Sequence, residues 1–89
     1  MFKKNLLISG VGKGIGRKIL LDTLKNNNFV YGIVRSKKDY LELKKKIKNE
    51  PCKIYLGDIK NISLIDKILK DSIVNKRPIN CLVNNAGER

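Results

Sequence analysis

Polar and apolar positions along this chain follow two alternating rhythms. Leu6, Leu7 and Ile8 form a dense apolar run that ends at Ser9-Gly10. A run apolar on both faces is what a strand inside a parallel sheet requires, and it predicts a strand over 5–9. Ile15, Ile19, Leu20 and Leu24 then recur at helical spacing and predict a helix over 15–26. Asn26-Asn27-Asn28 should stop it, because asparagine tolerates the left-handed backbone that helix ends use. Phe29, Val30, Tyr31, Ile33 and Val34 predict a second strand over 29–34. Ser36 is placed to cap a second helix, on which Tyr40, Leu43 and Ile47 share one face, and Pro51 ends it. A third short strand over 53–56 closes at Gly57-Asp58. The third helix, over 61–75, carries Leu64, Ile65, Ile68, Leu69 and Ile73 along one side. Pro78 precedes a fourth strand over 79–83, and the chain runs on through Asn84-Asn85-Ala86-Gly87.

Strands and helices thus alternate with short connections. That alternation implies an α/β fold with a parallel sheet and helices on both faces. The expected architecture is a partial Rossmann (doubly wound) fold, four parallel strands in order 3-2-1-4 with three helices. In that order the third and fourth strands lie about 14 Å apart, three strand spacings. Cys52 and Cys81 are therefore expected to be free thiols, since a disulfide needs Cα atoms within about 7 Å.

Composition narrows the function. The 89 residues make one small domain, and 42% of them are apolar, enough for a modest core. No apolar run approaches the roughly 20 residues of a membrane span. The first residues lack the features of a secretory signal, so the cytoplasm is the expected location. There is no histidine and no C-x-x-C, which removes the usual zinc spacings and any histidine-based triad. The net charge of +12 invites a nucleic-acid or anionic-membrane reading. Yet the 16 lysines are scattered apart from Lys44-Lys45-Lys46, and they accompany 10 asparagines and 12 isoleucines, all with A/T-rich codons. Base composition accounts for such a surface. Without helix-turn-helix spacing, zinc ligands or clustered exposed aromatics, neither a nucleic-acid nor a membrane partner is expected.

The chemistry concentrates between the first strand and the first helix. Gly10, Gly12, Gly14 and Gly16 fall within seven residues. A strand that enters a glycine-rich turn and then a helix can hold phosphate, because glycine lets the backbone approach closely and the helix start offers unpaired N–H groups. The spacing is not G-x-G-x-x-G, nor that of a P-loop. It is G-x-x-x-G-x-G, through Gly10, Gly14 and Gly16.

Ser9-Gly10-Val11-Gly12-Lys13-Gly14-Ile15-Gly16 resembles the T-G-x-x-x-G-I-G loop of the short-chain dehydrogenase/reductases. Asn84-Asn85-Ala86-Gly87 is similar to that family's N-N-A-G motif, and Asp58 stands where the family has an adenine-contacting aspartate. Within that family the resemblance is to 3-oxoacyl-acyl-carrier-protein reductase-like members, on a loop and a tetrad of the commonest kind. The resemblance spans the whole chain but only about the first third of a typical member. It implies that Gly10, Gly14 and Gly16 shape a pyrophosphate loop, with the Ile15 N–H among its donors. Ser9 replaces the usual threonine and keeps its hydroxyl. Asp58 would accept from the adenine amino group, with Ile59 beside the ring. Asn84, Ala86 and Gly87 would line the cofactor and brace the sheet.

Residues at the end of the second strand bear on which dinucleotide is bound. An NAD binder places an acid there for the ribose diol. This chain has Val34-Arg35-Ser36, with no acid before Asp39. Arg35 can fork onto a 2′-phosphate, Ser36 can donate to it, and Lys13 adds a second cation. NADP(H) is therefore expected in preference to NAD(H). The family's catalytic serine and its Y-x-x-x-K pair lie beyond its N-N-A-G strand. Tyr40 and Lys44 match Y-x-x-x-K literally, but on the second helix, where Tyr40 should face the core. No catalytic residue is assigned, and the chain alone is expected not to transfer hydride. A small-molecule or acyl-carrier-bound carbonyl substrate and a homo-oligomer are implied for the full-length protein. The alternatives are a non-catalytic NADP(H)-binding module or a truncated, inactive gene product. An apolar fourth strand at the sheet edge is expected to favour self-association.

Overall fold

Each dense apolar run is a strand and each periodic stretch a helix in the computed structural model, which describes residues 2–85. The elements are β1 (Asn5–Ser9), α1 (Gly14–Lys25), β2 (Phe29–Val34), α2 (Lys37–Lys46), β3 (Cys52–Leu56), α3 (Ile62–Val74) and β4 (Cys81–Asn84). The four strands form one parallel sheet in the order β3-β2-β1-β4. This is the expected partial Rossmann arrangement.

Strand periodicity divides the core in two. Leu6, Ile8, Val30 and Val34 point to one face and meet Leu20 and Leu24 of α1, Leu43 of α2 and Ile47 at the C-cap of α2. Leu7, Tyr31 and Ile33 point to the other face and meet Ile68 of α3. Helices thus cover both faces, as a buried parallel sheet requires. Tyr31 is fully buried, and its hydroxyl is satisfied by donating to the Arg77 carbonyl oxygen at 3.0 Å. The Arg77 guanidinium caps the same corner, 5.1 Å from the ring centres of Phe2 and Phe29.

The helix ends follow the expected chemistry. Ser36 caps α2 by accepting from the Asp39 N–H at 3.3 Å, and Asn61 caps α3 by accepting from Leu64 N–H at 3.2 Å. Asn27, just past α1, takes the left-handed backbone with φ 62°. Several boundaries differ from the expected ones by one or two residues. Helix α1 begins at Gly14, and β3 includes Cys52, which pairs with Val30. Strand β4 starts at Cys81 rather than Ile79, because the Asn80 side chain intrudes: its Oδ1 takes the Asn5 N–H at 3.0 Å. Ile79 packs against the second core instead.

Cys52 and Cys81 sit on opposite edge strands and are free thiols, as expected. Strand β4 is a sheet edge, and Leu82 on it is 61% exposed. Among the described residues no helix is long and apolar enough to cross a membrane.

Candidate functional site

Strands β1 and β4 end side by side, and one hydroxyl ties them together. Buried Ser9 donates from Oγ to Asn84 Oδ1 at 2.8 Å and accepts from Asn85 N–H at 3.1 Å. The Asn85 amide adds a bond from Nδ2 to the Gly10 carbonyl oxygen at 3.2 Å. The asparagines therefore brace the exit of β1, and Ser9 serves that brace.

From this anchor the chain turns over β2. Gly10 has φ 71°, and both its N–H and that of Val11 donate to the Ile33 carbonyl oxygen, at 3.0 and 3.2 Å. Val11 tucks onto the sheet where β2 has Gly32. A Cβ there would lie 2.9 Å from Val11 Cγ2 and 3.0 Å from Ile54 Cδ1. The remaining glycines divide their labour. Gly16 brings α1 against the loop so closely that a Cβ would overlap the Gly10 carbonyl oxygen. Gly14 instead faces open space: with φ 60°, its Cβ position has no atom within 4 Å.

Lys13 occupies the N-cap of α1 and makes no side-chain cap hydrogen bond, and the first turn holds no acid. The first N–H groups of α1 are thus left for an outside acceptor, with the positive end of the helix dipole behind them. Beside this turn lies a cleft of about 430 Å³ lined by Gly10, Gly12, Lys13, Val34, Arg35, Ser36 and Asp39. The open position at Gly14, the uncapped helix start and two cations make a donor set suited to the phosphates of a dinucleotide.

Most of the expected residues converge here. Ser9, Gly10, Lys13, Gly14, Ile15, Gly16, Arg35 and Ser36 surround the loop or its cleft. Asp58 follows β3 and stands next to Arg35, with Oδ2 3.7 Å from Nη2, while its Oδ1 accepts from Lys60 N–H at 2.9 Å. Both side chains of this ion pair are largely exposed, so it is weak, and Arg35 can leave Asp58 at little cost. Ile59 is half-buried against the core face shared by Tyr31 and Ile68. Ala86 and Gly87 lie outside the described residues.

Three residues at the site were not singled out from sequence. Gly12 fits under α2, where a Cβ would lie 2.9 Å from Val34 Cγ1 and 3.1 Å from Asp39 Cβ. Its signal was a glycine left over from the G-x-x-x-G-x-G pattern. Asn85 acts through its amide. Asp39, the first acid after β2, lines the cleft with Lys13 and Arg35.

A second cleft, about 470 Å³, opens along the β3 edge and is lined by Tyr40, Lys44, Cys52, Tyr55 and Asp71 among others. It is slightly larger than the glycine-loop cleft but contains none of the loop residues. Tyr40 packs partly against the first core, with Lys44 Nζ 5.4 Å from its ring centre, so this Y-x-x-x-K is a structural pair. Burial pushes the Cys52 thiol up to about 12, with the Glu50 charge adding to it. The Tyr55 phenol is also raised, first by burial and then by its 2.8 Å hydrogen bond to Asp71. Among the described residues no cluster of histidine, cysteine or acidic side chains could hold a metal ion.

A parallel α/β unit with a glycine loop at the carboxyl ends of β1 and β4 is the dinucleotide-binding class of fold. The profile of the short chain dehydrogenase family matches residues 4–89, and the chain belongs to that family. It is 29% identical over 85 residues to an NADPH-dependent pterin aldehyde reductase of Arabidopsis thaliana, covering 94% of this chain and 35% of that protein. It is 31% identical over 83 residues to an NADPH-dependent 3-dehydrocapnine reductase of Ornithobacterium rhinotracheale, covering 91% and 29%. A short-chain dehydrogenase from Streptomyces avermitilis superposes with a TM-score of 0.76 at 25% identity, over 96% of this chain and 31% of that one. The chain thus spans about a third of the length of these relatives.

Proposed function

We propose that this chain is the NADP(H)-binding amino-terminal part of a short-chain carbonyl reductase. The observation that carries the reading is a single cleft uniting the uncapped start of α1 with Lys13, Arg35 and Ser36. Two relatives named as NADPH-dependent reductases support it. Gly10 and Gly14 bend the loop so that the first N–H groups of α1, that of Ile15 among them, receive the pyrophosphate. Lys13 and Arg35 meet the 2′-phosphate. Ser36 Oγ already accepts from Asp39 N–H and keeps its own proton to donate. Asp58 and Ile59 serve the adenine, and Asn84, Ala86 and Gly87 the cofactor side of β4. Once bound, the nicotinamide supplies the hydride acceptor or donor.

The acid/base tyrosine, its lysine and the serine belong to the part of the family fold beyond β4. Tyr40 and Lys44 cannot stand in, because they line the β3-edge cleft. The chain alone therefore binds cofactor without turning it over. The whole protein, as we read it, works in the cytoplasm, as a homo-oligomer, on a small-molecule or acyl-carrier-bound carbonyl compound.

Arg35→Ala tests the reading. A charge-assisted hydrogen bond contributes about 1.5–3 kcal/mol, so NADP+ affinity should fall about tenfold or more. NAD+ affinity should stay within about twofold, since only the 2′-phosphate contact is lost. Equal loss of both ligands by calorimetric titration would overturn the assignment of Arg35.

A further inference from the structure

A helix that begins Ser36-Lys37-Lys38-Asp39 has the spacing of a capping box, in which the acid at the fourth position reaches back to the N-cap N–H. Only half of that box exists here. Ser36 Oγ accepts from Asp39 N–H, but among the described residues no bond runs from Ser36 N–H to the Asp39 carboxylate. The carboxylate lies over the glycine loop instead. Its Oδ2 stands 3.2 Å from where a Cβ on Gly12 would be, so the absence of a side chain at position 12 lets it lie close over the loop. Among the described residues it has neither an ion-pair partner nor a side-chain hydrogen bond. A half-buried acid thus shares one cleft with Lys13 and Arg35, and Arg35 is already beside a second acid, Asp58.

In a chain carrying +12 overall, the 2′-phosphate cleft is close to electrically balanced. We infer that Asp39 is a specificity-determining residue that opposes the 2′-phosphate and holds down the chain's preference for NADP(H) over NAD(H). The inference rests on the dinucleotide reading above. The 2′-phosphate adds negative charge to this cleft, and NAD(H) brings none there. A fixed carboxylate therefore penalises one ligand and spares the other.

The test is calorimetric titration of the full 89-residue chain, Asp39→Asn and Asp39→Ala with NADP+ and with NAD+. Circular dichroism establishes that each variant is folded. Removing one charge from a partly solvated cleft should tighten NADP+ by about three- to tenfold. NAD+ should move by less than about twofold, and the gain should shrink as salt rises toward a Debye length of about 3 Å at 1 M. Two variants of different shape and equal charge should agree. An unchanged or weakened NADP+ affinity, with the parent chain binding normally, overturns the role of Asp39 and leaves the cofactor reading intact. Parallel change in both ligands assigns the Asp39 side chain to the shape of the loop rather than to discrimination by charge, and also overturns it. A parent chain that binds neither dinucleotide removes the cofactor reading itself, and this inference with it.

Discussion

Two glycines two residues apart should fail in opposite ways when each is changed to alanine. At Gly16 the added methyl would overlap the Gly10 carbonyl oxygen and lie 2.7 Å from Asn85 Nδ2. Neither neighbour can yield freely, because Gly10 is pinned by its N–H to Ile33 and Asn85 is held by Ser9. Helix α1 must therefore withdraw from the ends of β1 and β4. Overpacking of this kind costs about 1–3 kcal/mol. Losing the 3.2 Å bond from Asn85 to Gly10 adds about 1 kcal/mol. The sum, about 2–4 kcal/mol, is a large share of the stability of a small domain. With about 4–8 °C per kcal/mol at this size, Tm should fall by at least about 8 °C.

At Gly14 the methyl meets nothing within 4 Å, and the cost is the left-handed backbone, φ 60°, of about 1–2 kcal/mol. The methyl would stand in the open face of the loop, where phosphate is proposed to sit. Gly14→Ala should therefore melt only modestly early but lose most of its NADP+ affinity. Thermal unfolding by circular dichroism and calorimetric titration read the two effects separately. If Gly16→Ala melted like the parent, the close approach of α1 to Gly10 would be wrong. Were Gly14→Ala to bind NADP+ as the parent does, the open side of the loop would not be the phosphate side.

Two further outcomes follow from the β3 edge. In Cys81→Ser the remaining thiol, Cys52, is pushed up to about 12, so a disulfide reagent near neutral pH should label it slowly until the chain is denatured; rapid native labelling would contradict its burial. Tyr55 and Cys52 hold their protons more tightly folded than unfolded, so the stability they contribute is present below their ordinary values of 10.0 and 9.0 and is lost as pH rises past them. Asp71 is held below its ordinary 3.8, chiefly by the Tyr55 hydrogen bond, so its contribution is present above that value and lost as pH falls. Tm against pH should therefore drop at both ends, and Tyr55→Phe should flatten the alkaline limb; an alkaline limb unchanged in that variant would remove Tyr55 as its source.

Much of this molecule is legible in one dimension. The order β3-β2-β1-β4 follows from alternating strand and helix patterns, and the loop's left-handed turns at Gly10 and Gly14 from glycine spacing before a helix. The Ser36 and Asn61 caps and the Asn27 turn are local effects that neighbouring residues decide. What escaped depends on contacts between distant segments. The start of β4 shifted because the Asn80 side chain takes a ladder position from across the sheet. The Arg35–Asp58 pair exists because β2 and β3 are neighbours whose ends, Val34 and Leu56, are in register. Strand order contains that information, but only once the two C-terminal ends are laid side by side. Asp39 escaped for a subtler reason. From sequence it is only the first acid after the second strand, and the direction of its side chain, over Gly12, puts it in the cleft. Asp39, proposed to oppose a 2′-phosphate, lines the same cleft as Lys13 and Arg35.

The central claim is that the glycine-loop cleft holds NADP(H). An NMR titration of the isotope-labelled chain with NADP+ tests it most directly, because every backbone amide reports separately. Dinucleotide in this cleft should give saturable shifts centred on the amides of Gly10, Lys13, Gly14, Ile15, Arg35 and Ser36, with weaker response to NAD+ at Arg35 and Ser36. Shifts centred on Lys44, Lys53 and Lys67 at the β3 edge, or no saturable shift at all, would contradict it.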